Sequence, residues 1–237
     1  MERSAIEKIE EMSAPHLTNE YGYTYTDKDL DVVEVPKVAT LKFHTLDGLV
    51  NSLKAEIKNF SAPVLIDVED ERSVTVYSSI FAADRGRERP YSVGAEVVTI
   101  PFDRKLDYET MMITLKSKFV ETEALLELVK LLGSITEENF AQLNDDGFSQ
   151  SVVVRKGIAV VGNQVVRPIV KLKPFRTFNE VDQPESEFLL RLSEGGGVAL
   201  YEADGGAWKL QARRNIADYL KKNLAELIES GEVIVVE

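Results

Sequence analysis

Arg85-Gly86-Arg87-Glu88-Arg89-Pro90-Tyr91 puts three guanidiniums into five residues of a strongly acidic chain. A guanidinium fork matches carboxylate and phosphate oxygens. This spacing can therefore hold a phosphate, a nucleotide or an acidic protein surface, with Tyr91 stacking on the bound group. Gly86 and Gly94 let the backbone turn tightly, and Pro90 limits the entropy lost on ordering. No phosphate-loop pattern is present: no glycine-rich run ends in Lys-Ser or Lys-Thr, and there is no GxGxxG. The alternative is a solvated connection whose arginines pair with the plentiful carboxylates. With no apolar anchor in the loop, Arg87→Ala with Arg89→Ala is expected to leave stability almost unchanged.

The other reactive residue types are less suggestively spaced. Asn144-Asp145-Asp146-Gly147 resembles the start of a calcium loop but lacks the later bidentate glutamate, so it reads as a helix-ending turn. Asp67 with Glu69 has the chemistry of an acid and a base, yet 40 acidic residues make such pairs by chance. Ser78-Ser79 and Ser149-Gln150-Ser151 lack a nucleophile elbow. His44, at a strand end before a helix cap, reads as structural, and Trp208 as core or interface. His16 and His44 are the two histidines, neither in a metal-ligand spacing, and there is no cysteine. No catalytic residue, metal or cofactor is therefore expected. Tyr21, Tyr23 and Tyr25 alternate as in an extended arm. They are expected to pack on their own domain or on a neighbouring subunit, as an oligomer interface, with a ligand shelf as the alternative.

The 237 residues suffice for one large domain or two small ones, and 44% hydrophobic with 29% charged residues excludes wholesale disorder. A net charge of −12 disfavours duplex DNA, whose phosphates are bound through Lys and Arg. MERSAIEKIEEM has a helical pattern without the apolar core of a signal peptide, and no apolar run approaches ~18 residues. A cytoplasmic protein with no membrane partner is expected.

Hydropathy periods supply the elements that must position these groups. Residues 1–37 read as a helix with Ile6, Ile9 and Met12 on one side, followed by the tyrosine arm. Residues 38–237 read as a single α+β domain. Thr45 caps a helix reaching about Asn59, and Val64–Val68 with Val74–Phe81 form a hairpin. Val97–Phe102 reads as a strand. A helical segment spans 107–143 in three pieces, capped by Asp107, Thr122 and Thr136. Beyond Ser149 the chain is strand-rich. Gly162-Asn163, Gly195-Gly196-Gly197 and Asp204-Gly205-Gly206 are read as hairpin turns, and Trp208–Leu210 as a strand. Asn215 caps a C-terminal helix, and Val233–Val236 adds a last strand. Within this order, Lys171–Leu192 forms strand, bent corner and strand, anchored by Pro174-Phe175-Arg176-Thr177-Phe178. The fold class is α+β, with a mixed, mostly antiparallel sheet arrangement, a central helical segment and a C-terminal helix.

Pro174-Phe175, the Glu187–Leu192 strand, the helix after Arg214, the Leu46–Ile57 helix with Val64–Val68, and Thr136–Leu143 together resemble a bacteriophage and prophage family. Its members are known as a domain of unknown function of the YfdQ type. The resemblance implies a phage-encoded protein of the bacterial cytoplasm and carries no site residues over. The expected function is a non-enzymatic accessory protein that acts by binding and self-association. Host-defence antagonism, phage DNA metabolism and assembly are the roles in view. Its partners would be itself and a host or phage protein or an anionic small molecule. The rival is a small enzyme or binder of a phosphorylated ligand, acting through Arg85, Arg87, Arg89 and Tyr91.

Overall fold

Alternation runs without a break along Ser186–Ser193: Ser186, Phe188, Leu190 and Leu192 are buried, while Glu187, Leu189, Arg191 and Ser193 are partly exposed. That period belongs to a strand with one packed face. The structure, a computed structural model, describes residues 3–13, 17–20, 23–26, 38–61, 63–80, 86–135, 140–145, 147, 150–156, 159–166, 168–193 and 197–237. The chain divides into two compact units, Met1–Lys37 and Val38–Glu237. In the first, α1 (Arg3–Ser13) exposes Ile6, Ile9 and Met12 at 45%, 60% and 70%. There β1 (Leu17–Glu20) pairs antiparallel with β2 (Tyr23–Thr26).

The second unit begins with β3 (Leu41–Phe43) and α2 (Leu46–Glu56), then β4 (Val64–Asp67), β5 (Ser73–Tyr77) and β6 (Tyr91–Gly94). After β7 (Leu106–Asp107) come α3 (Tyr108–Lys118) and α4 (Glu123–Ser134). A strand-rich stretch follows: β8 (Phe140–Asp145), β9 (Gln150–Lys156), β10 (Ala159–Val166), β11 (Ile169–Leu172), β12 (Ser186–Ser193) and β13 (Gly197–Glu202). The chain closes with α5 (Ala207–Asn223), α6 (Ala225–Glu229) and β14 (Val233–Val236). The architecture is α+β with mostly antiparallel pairing and a C-terminal helix.

Two cores fill this unit. One face of the sheet β14-β4-β5-β6-β3 packs Val64, Ile66, Val74 and Val76 against Leu49 and Leu53 of α2 and Ile216 and Leu220 of α5. The sheet β11-β12-β13-β7 packs Phe188, Leu190 and Leu200 against Leu115 of α3 and Leu128 and Leu132 of α4. Phe102, Phe119 and Phe188 form a ring cluster, with Phe102 stacked on Phe188 at 5.0 Å. A third, antiparallel sheet has the order β10-β9-β8.

The predicted caps at Thr45, Asp107 and Thr122 stand, accepting from the amides of Gly48, Thr110 and Leu125. A second cap was invisible in sequence: Glu180 Oε1 accepts from the Leu46 amide at 2.7 Å. Four expectations are corrected. Phe140–Asp145 is a strand because it pairs with β9, whose β-branched run offers a ladder that overrides helix propensity; residues 136–139 lie outside the described residues. Gly162-Asn163 continues β10 through a bulge, with Asn163 opposite Val153, and does not turn. Val97–Phe102 is in no ladder. Helix α5 starts at Ala207 and takes in Trp208–Leu210, because Gly205 (φ 62) and Gly206 (φ 82) turn the chain into it through the left-handed region. Asn215 therefore sits mid-helix, where its Nδ2 donates to the Asp182 carbonyl at 2.8 Å.

Two tyrosine hydroxyls join the packed elements. Tyr219 Oη of α5 donates to Asp47 Oδ1 in the first turn of α2, and Tyr91 Oη of β6 donates to Glu56 Oε2 at 2.5 Å. Burial, then the bond to Asp47 and the charges of Asp47 and Glu180, push Tyr219 up to about 12 from 10.0. Burial and Glu56 raise Tyr91 likewise. A folded pKa above the unfolded one gives stability that is complete below about pH 10 and is lost as pH rises through 12. The urea midpoint should hold to about pH 10 and then fall, with a shallower fall in Tyr219→Phe. A midpoint unchanged across that range contradicts the assignment.

Candidate functional site

Burial and charge conflict most sharply at Arg176, whose side chain is 4% exposed. It lies in the corner between β11 and β12, where the backbone is held by a glutamine. Gln183 Oε1 accepts from the amides of Arg176 and Thr177, and Gln183 Nε2 donates to the carbonyls of Phe178 and Val181. The guanidinium rests on aromatic faces: its Cζ is 3.9 Å from the Trp208 ring centroid, 5.7 Å from Phe188 and 5.9 Å from Phe102. Nη1 donates to Glu202 and Nη2 to Ser186 Oγ. A buried cation requires such pairing.

Burial pushes Arg176 down to about 10, opposed by the charges of Glu202 and Asp204. It remains a cation at neutral pH. Asp204 is the complementary case. Burial works against its ionisation, but the nearby Ser186 hydroxyl and the amides of Gly206 and Trp208, with the Arg176 charge, hold its carboxyl below the usual range. The Gly206 amide bonds Oδ1 at 3.0 Å, and Oδ2 is buried without a partner among the described residues. That carboxylate also satisfies the start of α5, where Gly206 offers no side-chain cap.

Arg176 and Trp208 line a cleft of about 530 Å³ with Glu71, Arg72, Glu202 and Lys209, walled by the extended chain Val97–Ile100 and Phe102. Arg72 Nε donates to the Arg176 carbonyl at 3.2 Å, and Lys209 Nζ stands 3.8 Å from Glu71 and 5.9 Å over Trp208. Three cations and two carboxylates line the cleft, one cation in excess in the lining itself, while the Asp204 carboxylate acts on Arg176 from outside it. Such a lining suits a single carboxylate better than a dianion, which Glu71 and Glu202 would repel. A larger apolar groove of about 760 Å³ lies between α4 and β11, lined by Leu128, Leu131, Ile169, Val170 and Leu190.

Comparison with protein-family models, curated proteins and solved structures finds no match. The functional reading therefore rests on geometry.

The sequence-predicted residues lie elsewhere. Arg87 and Arg89 share the connection between β5 and β6. Arg87 Nη1 donates to the Ser78 carbonyl at 2.7 Å, and Arg89 Cζ stands 5.2 Å from the Tyr77 ring centroid. Tyr77 in turn donates to Glu69 at 3.1 Å; burial, then that bond, raises its pKa. Tyr91 is a correction: at 1% exposure it packs against Phe43 and Phe60, so its face is closed to a ligand. The loop does carry an apolar anchor, in Pro90 and Tyr91, which are both buried. Arg85 and Tyr21 lie outside the described residues; Tyr23 and Tyr25 lie on β2, opposite Glu20 and Thr18. His44 stands 3.6 Å from Glu96, both side chains well exposed. Among the described residues no three His, Cys, Asp or Glu gather as metal ligands, and no helix is long and apolar enough to cross a membrane. Arg176 had one sequence signal: an arginine between two phenylalanines beside a proline, in a stretch otherwise suited to burial.

The Arg87 bond and the Arg89 ring contact change the expected stability of the double variant. One hydrogen bond worth ~0.5–1.5 kcal/mol and one exposed cation–ring contact of ~0.5–1 kcal/mol give a loss of about 1–2.5 kcal/mol for Arg87→Ala with Arg89→Ala. Urea unfolding measures it; an unchanged midpoint returns the loop to the status of a solvated connection.

Proposed function

We propose that this is a cytoplasmic binding protein that recognises a carboxylate-bearing ligand in the Arg176 cleft. The observation that carries the reading is the buried Arg176 guanidinium, fixed by Glu202, Ser186 and Trp208 beneath the exposed Arg72 and Lys209. A pre-paired cation needs no reorganisation when a ligand arrives, and Arg72 and Lys209 supply the new contacts. What the cleft offers is positioning by charge and shape, in keeping with binding in preference to catalysis. The phage setting implied by the YfdQ-type resemblance belongs to the same reading as context, with the accessory roles it brings.

Self-association is a second part of the proposal, supported by the exposed Ile6, Ile9 and Met12 stripe of α1. An apolar stripe of that kind is commonly covered in an assembly. Light scattering on the full chain and on a chain lacking residues 1–37 tests it: the full chain should exceed 26.5 kDa and the shortened one should shrink in assembly size. A monomer at micromolar concentration in both cases overturns it.

Trp208 is the sole tryptophan and touches Arg176, so its fluorescence reports on the cleft. Titration with N-acetyl-glutamate amide should change that emission saturably, and N-acetyl-glutamine amide and inorganic phosphate should bind more weakly. Arg72→Ala with Lys209→Ala should weaken the glutamate probe about tenfold or more, at ~1.5–3 kcal/mol per charged hydrogen bond. Equal response to the glutamine probe overturns the carboxylate reading.

A further inference from the structure

Val97-Val98-Thr99-Ile100 is β-branched, and with Glu96 it runs without a turn or bend, yet no ladder includes it. The amides of these five residues have no hydrogen-bond partner among the described residues. The segment leaves β6 through one last bond, Ala95 to the Arg72 carbonyl at 2.8 Å, and ends at Pro101, which has no donor. Lys118 Nζ donates to the Thr99 carbonyl at 2.6 Å and so occupies the edge that Val97 and Thr99 share. In an extended chain alternate residues point their polar groups to the same edge. Glu96 and Val98 therefore present the open edge, with Val98 48% exposed, while the Ile100 carbonyl already accepts from the Phe102 amide at 3.0 Å.

Clefts flank this segment. The Arg176 cleft includes Val97, Val98, Thr99 and Ile100 in its wall, and a smaller cleft of about 180 Å³ is lined by Glu96, Val97, Val98, Phe175, Thr177 and Asn179. An unpaired segment bordered by clefts is an arrangement by which a sheet edge can receive an extended peptide: backbone bonds give affinity and the clefts sort side chains.

We propose that Glu96–Ile100 is an acceptor strand for an extended segment of a partner protein, one carrying an acidic side chain that enters the Arg176 cleft. The acidic side chain rests on the cleft reading above, whereas the added strand rests on the unpaired backbone alone. Arg72 and Lys209 select glutamate or aspartate over lysine at that position by charge. The backbone pairing is indifferent to sequence, so specificity lies in the side chain and in the β-branched character of the incoming strand.

The test uses the full chain and the blocked peptide acetyl-Thr-Val-Glu-Val-Thr-Val-amide. Its binding should slow hydrogen exchange at the Val98 and Ile100 amides and change Trp208 emission. The same peptide with lysine in place of glutamate should bind at least about tenfold more weakly, and a version N-methylated at alternate amides should not protect Val98. Val98→Pro removes the donor at an exposed, unpaired position, so it should keep the fold and lose peptide affinity. Absence of protection at Val98 overturns the added strand, as does equal binding of the N-methylated peptide or of the full-length Val98→Pro variant. The response to N-acetyl-glutamate amide judges the cleft separately, so the two readings fail independently.

Discussion

A guanidinium buried in an aromatic box is the constraint on which the second unit turns. Taking such a charge out of water costs several kcal/mol unless its hydrogen bonds are replaced. The chain replaces them from residues 10 and 26 positions further on, Ser186 at the start of β12 and Glu202 at the end of β13. Asp204 adds its charge from the turn that starts α5, and Trp208 on that helix lies flat enough to be 3.9 Å from the cation. Pairing Nη1 and Nη2 of Arg176, with Nε left without a hydrogen-bond partner among the described residues, thus ties the end of the sheet to the start of the last long helix.

The same corner joins the two cores. Leu172 and Phe188, on either side of it, belong to the core under α3 and α4, while Phe178 and Val181 within it belong to the core under α2 and α5. Its polar groups reach out in three further directions. Thr177 Oγ1 donates to the Glu71 carbonyl at 2.5 Å, Glu180 caps α2, and Asp182 receives Asn215 from α5. Gln183 holds the interior, using both amide groups on neighbouring backbone. A corner tied this way cannot shift without loosening both cores, so the cleft beside it is preorganised by the fold's own bonds.

Local signals were legible where the physics is local. The alternation of β12, the caps at Thr45, Asp107 and Thr122, and the hairpin of β4 and β5 are set by neighbours in sequence and could be read there. Expectations failed where a distant partner decided. Phe140–Asp145 has the composition of a helix end, but β9 claims it as a strand. Asn215 and Asp218 have the spacing of a capping box, but the burial of Trp208 and Ala212 carries the helix back to Ala207. Val97–Phe102 has the composition of a strand without a partner to make it one. The site was misplaced for a related reason: counting exposed cations finds Arg87 and Arg89, whereas the organised cation is one that the fold had to enclose.

Exposed and enclosed cations differ in what they can select. A surface pair in water is worth ~0–1 kcal/mol and is screened by salt beyond about 8 Å. Arg89 on Tyr77 is of that kind. Around Arg176 the aromatic rings exclude water on one side, so charges there interact at lower effective dielectric and distinguish ligands more sharply. The surrounding −12 charge acts at longer range and is damped at physiological salt. On the proposed reading, an acidic segment would meet a weak, screened repulsion outside and a stronger, directional field inside. Glu71 and Glu202 set the upper limit on that field, because together they tolerate one added negative charge and oppose a second. On that same proposed reading, the lining of three cations and two carboxylates favours a single carboxylate over a phosphate dianion.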